Sequence, residues 1–389
     1  MMAAREAPET TTVAAMVNAH SHAFQRELRG AAERPAANAG RGDDFWSWRR
    51  AMYALAERLD EAGLARVARD SFSEMAACGY GAVGEFHYLH HRPDGTPYSD
   101  PNLTAKLIAE VAVEAGLRIV LLPAVYRRAG WDGKDLPPAP AQRRFVDPDV
   151  ATYLERVEAL RSWAEGRAGI SVGVAVHSCR AVPAGWIHEI AAYSEQHRLV
   201  RHIHAAEQRR ELDEVEREHG CSPIELLDRT GFLGERASVV HAIHVSDRDI
   251  QLLAEAEATV VACPTTEGNL GDGHFPALAY RDSSVRLAIG SDSQVRIDPF
   301  EEVRELETGA RREQMTRFAL LAETEDLWQS LVVNGLRSLG LEADECGMLE
   351  LRLDHPSLAG IRPSDLGLAL ATCASSGAVA RLTPTKPHS

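Results

Sequence analysis

The sequence predicts a parallel α/β fold of the (β/α)8 barrel type, on three observations. Eight short apolar runs alternate with longer amphipathic stretches along most of the 389 residues. The polar residues able to do chemistry fall just after those runs, where a parallel barrel gathers its active site. No GxGxxG phosphate loop leads from a predicted strand into a helix to support the alternative, a doubly wound open sheet.

Taken in order, strands are expected at 13–19, 82–86, 118–125, 170–176, 200–204, 238–241, 258–263 and 285–289. Helices are expected between them at 57–78, 103–115, 150–165, 186–197 and 247–254. Ser222 and Glu225, with Pro223 at the first helical position, read as a capping box that opens a further helix. The segments 30–44 and 130–148 are rich in glycine, proline and charge and read as long loops of the kind that often form lids. After residue 340 the strand–helix rhythm stops. The expected organisation is a disordered or remnant N-terminus at 1–12, a barrel at 13–340 and a short C-terminal appendage at 341–389.

Hydrophobic residues make up 45% of the chain and charged residues 25%, enough apolar material for a core. With 42 basic and 57 acidic residues the net charge is −15, which disfavours nucleic acid and anionic membranes as partners. No apolar run is long enough to span a bilayer, and the first residues do not read as a secretory signal. The six cysteines are dispersed without a CxxC pair, which points to reduced thiols, a cytoplasmic location and no cysteine-built zinc site.

Four polar sites follow predicted strands. Asn18-Ala-His20-Ser-His22 follows the first; residues two apart in an extended chain share a side, so both imidazoles can face one metal. His204-Ala-Ala-Glu207 follows the fifth, with a carboxylate placed to move protons near a ligand histidine. His202 shares the face of His204 and competes as ligand; His204 is preferred because it lies nearer the strand end and beside Glu207. His241, with His244 beyond it, follows the sixth, and Gly290-Ser-Asp292-Ser follows the eighth. Each alone has a bland explanation, a core histidine or a helix N-cap, but four such sites at four strand ends argue for one centre.

Together these residues resemble the amidohydrolase superfamily: HxH on strand one, histidines on strands five and six, and aspartate on strand eight. The HxxE segment resembles its mononuclear deaminase branch, and none of Lys106, Lys134 and Lys386 falls at the predicted end of strand four, where binuclear members carry a bridging lysine. The resemblance sharpens in the segments beginning at His20, Phe45, Glu85, His177, His202 and Asn269, which look like the formimidoylglutamate deiminases of histidine degradation, from about residue 17 to about 340.

That resemblance implies one divalent metal, zinc or else iron, held by His20, His22, His204 and Asp292. It implies substrate binding by Gln25, Arg49, Tyr88, His177 and Arg180, with Arg49 on the long loop after strand one. The expected reaction is hydrolysis of N-formimidoyl-L-glutamate to N-formyl-L-glutamate and ammonia. Asp292 would accept a proton from the attacking water, His241 would hold the attacking oxygen and Glu207 would deliver protons to the departing nitrogen. Two arginines suit a substrate with two carboxylates, since each can grip one through paired hydrogen bonds. Trp46, Trp48 and Met52 are expected to pack a lid, and His87, His90 and His91 have no spacing that singles them out as ligands.

Two features depart from the family pattern. The β-sandwich that usually flanks the barrel is largely missing or truncated, which predicts exposed apolar surface beside strands one and eight and self-association, with a homodimer as one form. Gln294 stands where a histidine often follows the strand-eight aspartate. Rival readings are a deaminase of the same branch acting on a purine or pyrimidine, and a truncated, inactive barrel.

Overall fold

The computed structural model describes residues 9–34, 45–321 and 326–384. Its main sheet carries β1 (Met16–Ser21), β2 (Tyr80–His87), β3 (Arg118–Val125), β4 (Val174–Ser178), β5 (Arg201–Ala205), β6 (Ala237–His241), β7 (Thr259–Ala262) and β8 (Arg286–Ile289). Neighbours in that order are hydrogen-bonded and every pair is parallel. A parallel bridge between Ser21 and Asp292 joins the first strand to the residues after the last, so the sheet closes into a barrel. Most strand positions are buried, as expected when helices cover the outer face and side chains fill the inside.

β4 is preceded by a short strand, Ile170–Val172, paired with the lower part of β3. Gly173 separates the two, and a side chain there would meet the Val200 carbonyl at 2.8 Å and the Leu122 side chain at 2.9 Å. Glycine therefore lets strands three, four and five approach closely.

The helices follow the amphipathic pattern, with boundaries set by their caps. The helix expected at 57–78 runs Glu61–Cys78, because the Asp60 side chain accepts from the Gly63 amide at 2.8 Å and Gly79 ends it at φ 111°. Pro223–Arg229 opens with the predicted Ser222/Glu225 capping box. Arg49, expected on a loop, lies instead on the helix Phe45–Ala56, whose buried Met52 and Leu55 supply a packing face. The rest of the segment expected as a loop at 30–44 falls mostly outside the described residues.

The strand expected at 13–19 is two strands. Thr10–Ala14 pairs antiparallel with Met348–Arg352, which pairs on its other edge with Val379–Thr383. At Ala15 the chain changes sheets: its amide donates to Gly347 O at 3.2 Å, while that of Met16 donates to Gly79 O at 3.0 Å. The expected boundary at residue 13 thus falls inside a strand, and residues from both ends of the chain form one small sheet.

Strands one and eight, expected to lie beside exposed apolar surface, are themselves covered, although Val333, Met348 and Leu368 of the covering elements are exposed. Helix Leu327–Leu339 packs on β1 and β8, and helix Leu366–Thr372 packs on Leu327–Leu339 and on Pro299–Gln314. Met16, Val17, Leu287 and Ile289 are buried, as are Leu349 and Leu351 of the small sheet. The short C-terminal segment supplies apolar cover that the sequence, lacking a strand–helix rhythm there, did not suggest.

Candidate metal centre and adjoining pocket

The residue after β1 and the turn after β8 are joined through their backbones. The His22 amide donates to Asp292 O at 3.0 Å and the Asp292 amide to His20 O at 3.1 Å. Gly290 permits this contact, since a Cβ there would meet His20 O at 2.7 Å. His20 and His22 alternate to one side, and His204 reaches them from β5.

Four ligand atoms converge. The Nε2 atoms of His20 and His22 are 3.2 Å apart, those of His22 and His204 3.3 Å, and those of His204 and His20 3.0 Å. Asp292 Oδ1 lies 3.3 Å from both His20 Nε2 and His22 Nε2. A tetrahedron of ligands each about 2.0–2.1 Å from a central ion has edges of about 3.3–3.4 Å. These five edges match it to within a few tenths of an ångström.

Hydrogen bonding decides what these nitrogens present to one another. His22 Nδ1 lies 2.8 Å from Phe86 O and His204 Nδ1 2.8 Å from His177 O. Carbonyls only accept, so each Nδ1 carries the proton and each Nε2 points a bare lone pair into the cluster. Burial, followed by neighbouring imidazoles, holds His20 and His22 well below the usual histidine range and His204 at about 4. Neutral imidazoles and a carboxylate aimed at one point repel unless a cation lies between them, so this donor set fits a divalent metal.

His241 stands beside the cluster, its ring stacked on that of His204 at 5.6 Å. Its Nε2 lies 3.6 Å from Glu207 Oε1 and 3.9 Å from Asp292 Oδ2, the oxygen turned away from the nitrogen cluster. Its Nδ1 lies 3.2 Å from Glu267 Oε1. Burial alone would lower its pKa, but Glu207, Glu267 and Asp292 raise it to about 10. Burial raises the Glu207 carboxyl, and the His241 charge opposes that. Ala206, His241 and Asp292 have φ of 55°, 69° and 44°, left-handed backbone that non-glycine residues adopt only where surrounding structure holds them.

A pocket with an empty volume of about 540 Å³ opens onto this centre. Gln25, Arg49, Tyr88, His177 and Arg180 all line it, as do Glu207, His241 and Asp292. Gln25 Nε2 donates to the Tyr88 hydroxyl at 2.9 Å, leaving Gln25 Oε1 buried without a hydrogen-bond partner among the described residues. Arg49 donates to the Tyr126 hydroxyl at 3.3 Å and lies over the Tyr53 ring. Arg49 and Arg180 flank the Trp46 ring at 5.5 and 5.8 Å. Both arginines are buried, at 7% and 9% exposure; no salt bridge among the described residues includes either, but the Glu207 carboxylate acts on both and that of Glu211 on Arg180. Trp48 and Met52 line the pocket directly.

Several other residues have structural partners. His202 Nε2 lies 2.9 Å from Ser338 O at the end of helix Leu327–Leu339, outside the cluster. His87 meets the Thr104 hydroxyl at 3.0 Å, His90 meets Ala124 O at 2.8 Å and Arg156 at 3.0 Å, and His91 meets Val146 O at 2.9 Å. Gln294 ties the barrel closure together: its Nε2 donates to Ser21 Oγ at 2.9 Å and Asp292 O at 3.0 Å, and its Oε1 accepts from Ser291 at 2.9 Å.

Sequence reasoning missed Glu211, Glu267 and Glu85. Glu211 lines the pocket from the first turn of helix Arg209–His219, four residues beyond Glu207, and its carboxylate accepts from the Glu207 amide at 3.3 Å. Glu267 comes from the short helix Pro264–Leu270 after β7, where nothing in sequence links it to His241. Glu85 is buried under the closure, accepting from Ser21 Oγ at 2.6 Å and the Ala23 amide at 2.8 Å.

Glu85 makes stability depend on pH. Burial raises its carboxyl to about 8 despite those two hydrogen bonds, whereas an unfolded glutamate titrates near about 4.3. Between these values the folded state binds more protons than the unfolded state, so this group's contribution falls as pH rises through the window. The slope approaches about 1.4 kcal/mol per pH unit. Relative to wild type, Glu85→Gln is expected to gain unfolding free energy between pH 5 and 8, measured by urea denaturation. A constant difference across that range means that Glu85 is charged in the folded state.

Residues 11–345 match the sequence model of the amidohydrolase family. The chain is 38% identical over 330 residues to the formimidoylglutamate deiminase of Pseudomonas aeruginosa, covering 84% of this chain and 71% of that one. It is 29% identical over 304 residues to a 5-methylthioadenosine/S-adenosylhomocysteine deaminase of Halobacterium salinarum, covering 76% of this chain and 62% of that one. An amidohydrolase from Brucella melitensis has the same fold, with a TM-score of 0.84 and 32% identity over 97% of this chain and 86% of that one. Among the described residues no helix is long and apolar enough to cross a membrane. The family model, the relatives and the closed parallel barrel agree: this chain belongs to the amidohydrolase family of hydrolases.

Proposed function

We propose that the protein hydrolyses N-formimidoyl-L-glutamate to N-formyl-L-glutamate and ammonia, as a step of histidine breakdown in the cytoplasm, with one divalent cation, zinc by its donor set, held by His20, His22, His204 and Asp292. The observation that carries the substrate reading is the pair of buried guanidiniums, Arg49 and Arg180, lining the same pocket as the cluster. The nearby Glu207 and Glu211 carboxylates offset part of this charge without forming a salt bridge to either guanidinium among the described residues, and a ligand bearing two carboxylates would pair with both directly. A neutral nucleobase offers neither pairing. The similarity to a formimidoylglutamate deiminase supports the same reading.

When bound, the cation supplies Lewis acidity and makes water a nucleophile at neutral pH. The chain supplies the rest. Arg49 and Arg180 fix the carboxylates and so set the formimidoyl carbon near Asp292 Oδ2, His241 Nε2 and Glu207. Asp292 Oδ2 takes the proton released as water adds to that carbon. His241 Nε2 donates a hydrogen bond to the added oxygen, and its charge stabilises the negative charge that develops there. Glu207 carries a proton to the amidine nitrogen, which leaves as ammonia while the C=O of the formyl group forms.

The test is ammonia release from formimidoylglutamate and from an uncharged formamidine. The wild type is expected to prefer the dicarboxylate, and Arg180→Ala to lose about 2–4 kcal/mol of kcat/KM for it while keeping its metal. A wild type indifferent to the carboxylates, or an Arg180→Ala variant with its preference intact, rejects this substrate and favours a nucleobase.

A further inference from the structure

One buried carboxylate beside the centre has no part in the steps above. Glu267 is 3% exposed and sits on Pro264–Leu270, directly after β7. Its Oε1 accepts from the Cys263 amide at 2.9 Å and lies 3.2 Å from His241 Nδ1. Its own amide donates to Cys263 O at 2.9 Å, and its carbonyl accepts from the Asp272 amide at 3.0 Å. The residue is thus held by its backbone at amide and carbonyl and by its side chain at Oε1, as a rigid mount for another side chain must be.

The same helix also supports the turn after β8. Thr266 Oγ1 lies 3.2 Å from Ser291 O and 3.0 Å from Ser293 Oγ, and it accepts from the Ser293 amide at 3.2 Å. Asp292 lies between those two serines. His241 and Asp292 both have left-handed backbone, so local conformational preference does not hold either in place. One short helix therefore reaches both residues, through adjacent side chains.

We propose that Glu267 is a positioning residue for the reaction: by accepting from His241 Nδ1–H it fixes the ring so that Nε2 faces Glu207 and Asp292, where the added oxygen forms. A ring turned over would place its carbon edge there and lose the hydrogen bond at the reacting atom. Glu267 itself lies behind the imidazole and does not line the pocket. Its removal should therefore lower turnover without weakening substrate binding or metal binding.

The inference rests on the deiminase reading for its kinetic arm and is independent of it for its spectroscopic arm. Four variants are compared with the zinc-loaded wild type: Glu267→Ala, Glu267→Gln, His241→Ala and the double variant His241→Ala/Glu267→Ala. Glu267→Ala is expected to lower kcat by about 10²-fold with KM changed less than about 3-fold and zinc content unchanged. Glu267→Gln keeps an acceptor oxygen in place and should recover to within about 10-fold of wild type. In the His241→Ala background, Glu267→Ala should cost less than about 2-fold, because the group it acts through is gone.

Nitrogen-15 spectra of the histidine rings, with His241 assigned from its variant, should show a slowly exchanging proton on Nδ1 in wild type that is lost in Glu267→Ala. A Glu267→Ala loss of equal size with and without His241, or lost zinc, assigns Glu267 to general support of the fold and overturns the proposal. So does a wild-type His241 with Nδ1 unprotonated. If the wild type releases no ammonia from formimidoylglutamate, the substrate reading fails, and the spectra still decide the role of Glu267.

Discussion

His204→Ala is expected to lose the divalent cation and to bring ammonia release down to the background rate. His204 Nε2 sits 3.0 and 3.3 Å from the other two imidazole nitrogens, so its removal opens one corner of a cluster whose remaining ligands come from β1 and the turn after β8. Neither His202 nor His241 can take its place: His202 is committed to Ser338 O, and His241 is held by Glu267 on one side and faces Glu207 on the other. The same variant changes stability in a telling direction. In the wild type, bare lone pairs and a carboxylate face one another, so adding zinc should raise Tm by binding only the folded state. In His204→Ala that metal-dependent rise should disappear, while the metal-free protein is no less stable than metal-free wild type, since one source of repulsion is gone. Metal content by elemental analysis and Tm with and without zinc check this. A variant that keeps stoichiometric zinc shows that the cluster is not the metal centre.

Glu207→Gln is expected to keep the metal and the shape of the pocket and to lower kcat by about 10²–10⁴-fold, the range for loss of an acid–base group. Glu207 is not one of the four clustered ligands, and its Oε1 lies 3.6 Å from His241 Nε2, on the pocket side. Burial raises its carboxyl toward the pH at which it both takes up and gives up a proton readily, and the amide does neither. KM should change little, because the proposed grip on the substrate lies in Arg49 and Arg180. Turnover and zinc content are measured on the same sample. A kcat within a few-fold of wild type removes Glu207 from proton transfer.

The residues proposed to carry this chemistry were legible in the sequence because barrel strands place their C-terminal residues together whatever lies between. His20, His22, His204, Glu207, His241 and Asp292 are named by position after a strand, and the structure brings all six to one end of the barrel. The substrate-side residues came by resemblance instead, since nothing in the spacing of Gln25, Arg49, Tyr88, His177 and Arg180 relates them. The structure gathers those five around one pocket. The carboxylates behind the centre gave less signal. Glu211 lies four residues after Glu207 and was open to recognition, whereas Glu267 meets His241 only because β6 and β7 are neighbours.

The sequence alone determined the parallel alternation of strands and helices, the capped helix starts and the set of strand-end histidines and carboxylates, because these follow from local periodicity and from residues a few positions apart. The sequence preferred His204 over His202 by position, and tertiary structure supplies the physical reason. Both point to the same side of β5, and only the end of helix Leu327–Leu339, more than a hundred residues away, occupies His202 and leaves His204 for the cluster. Tertiary structure alone decided how the barrel ends are covered. Thr10–Ala14 and Met348–Arg352 pair across nearly the whole length of the chain, and their buried leucines close a surface that the sequence suggested was bare. Contacts of that sequence separation leave no periodic trace, because the apolar residues of either segment bury only when the other is present.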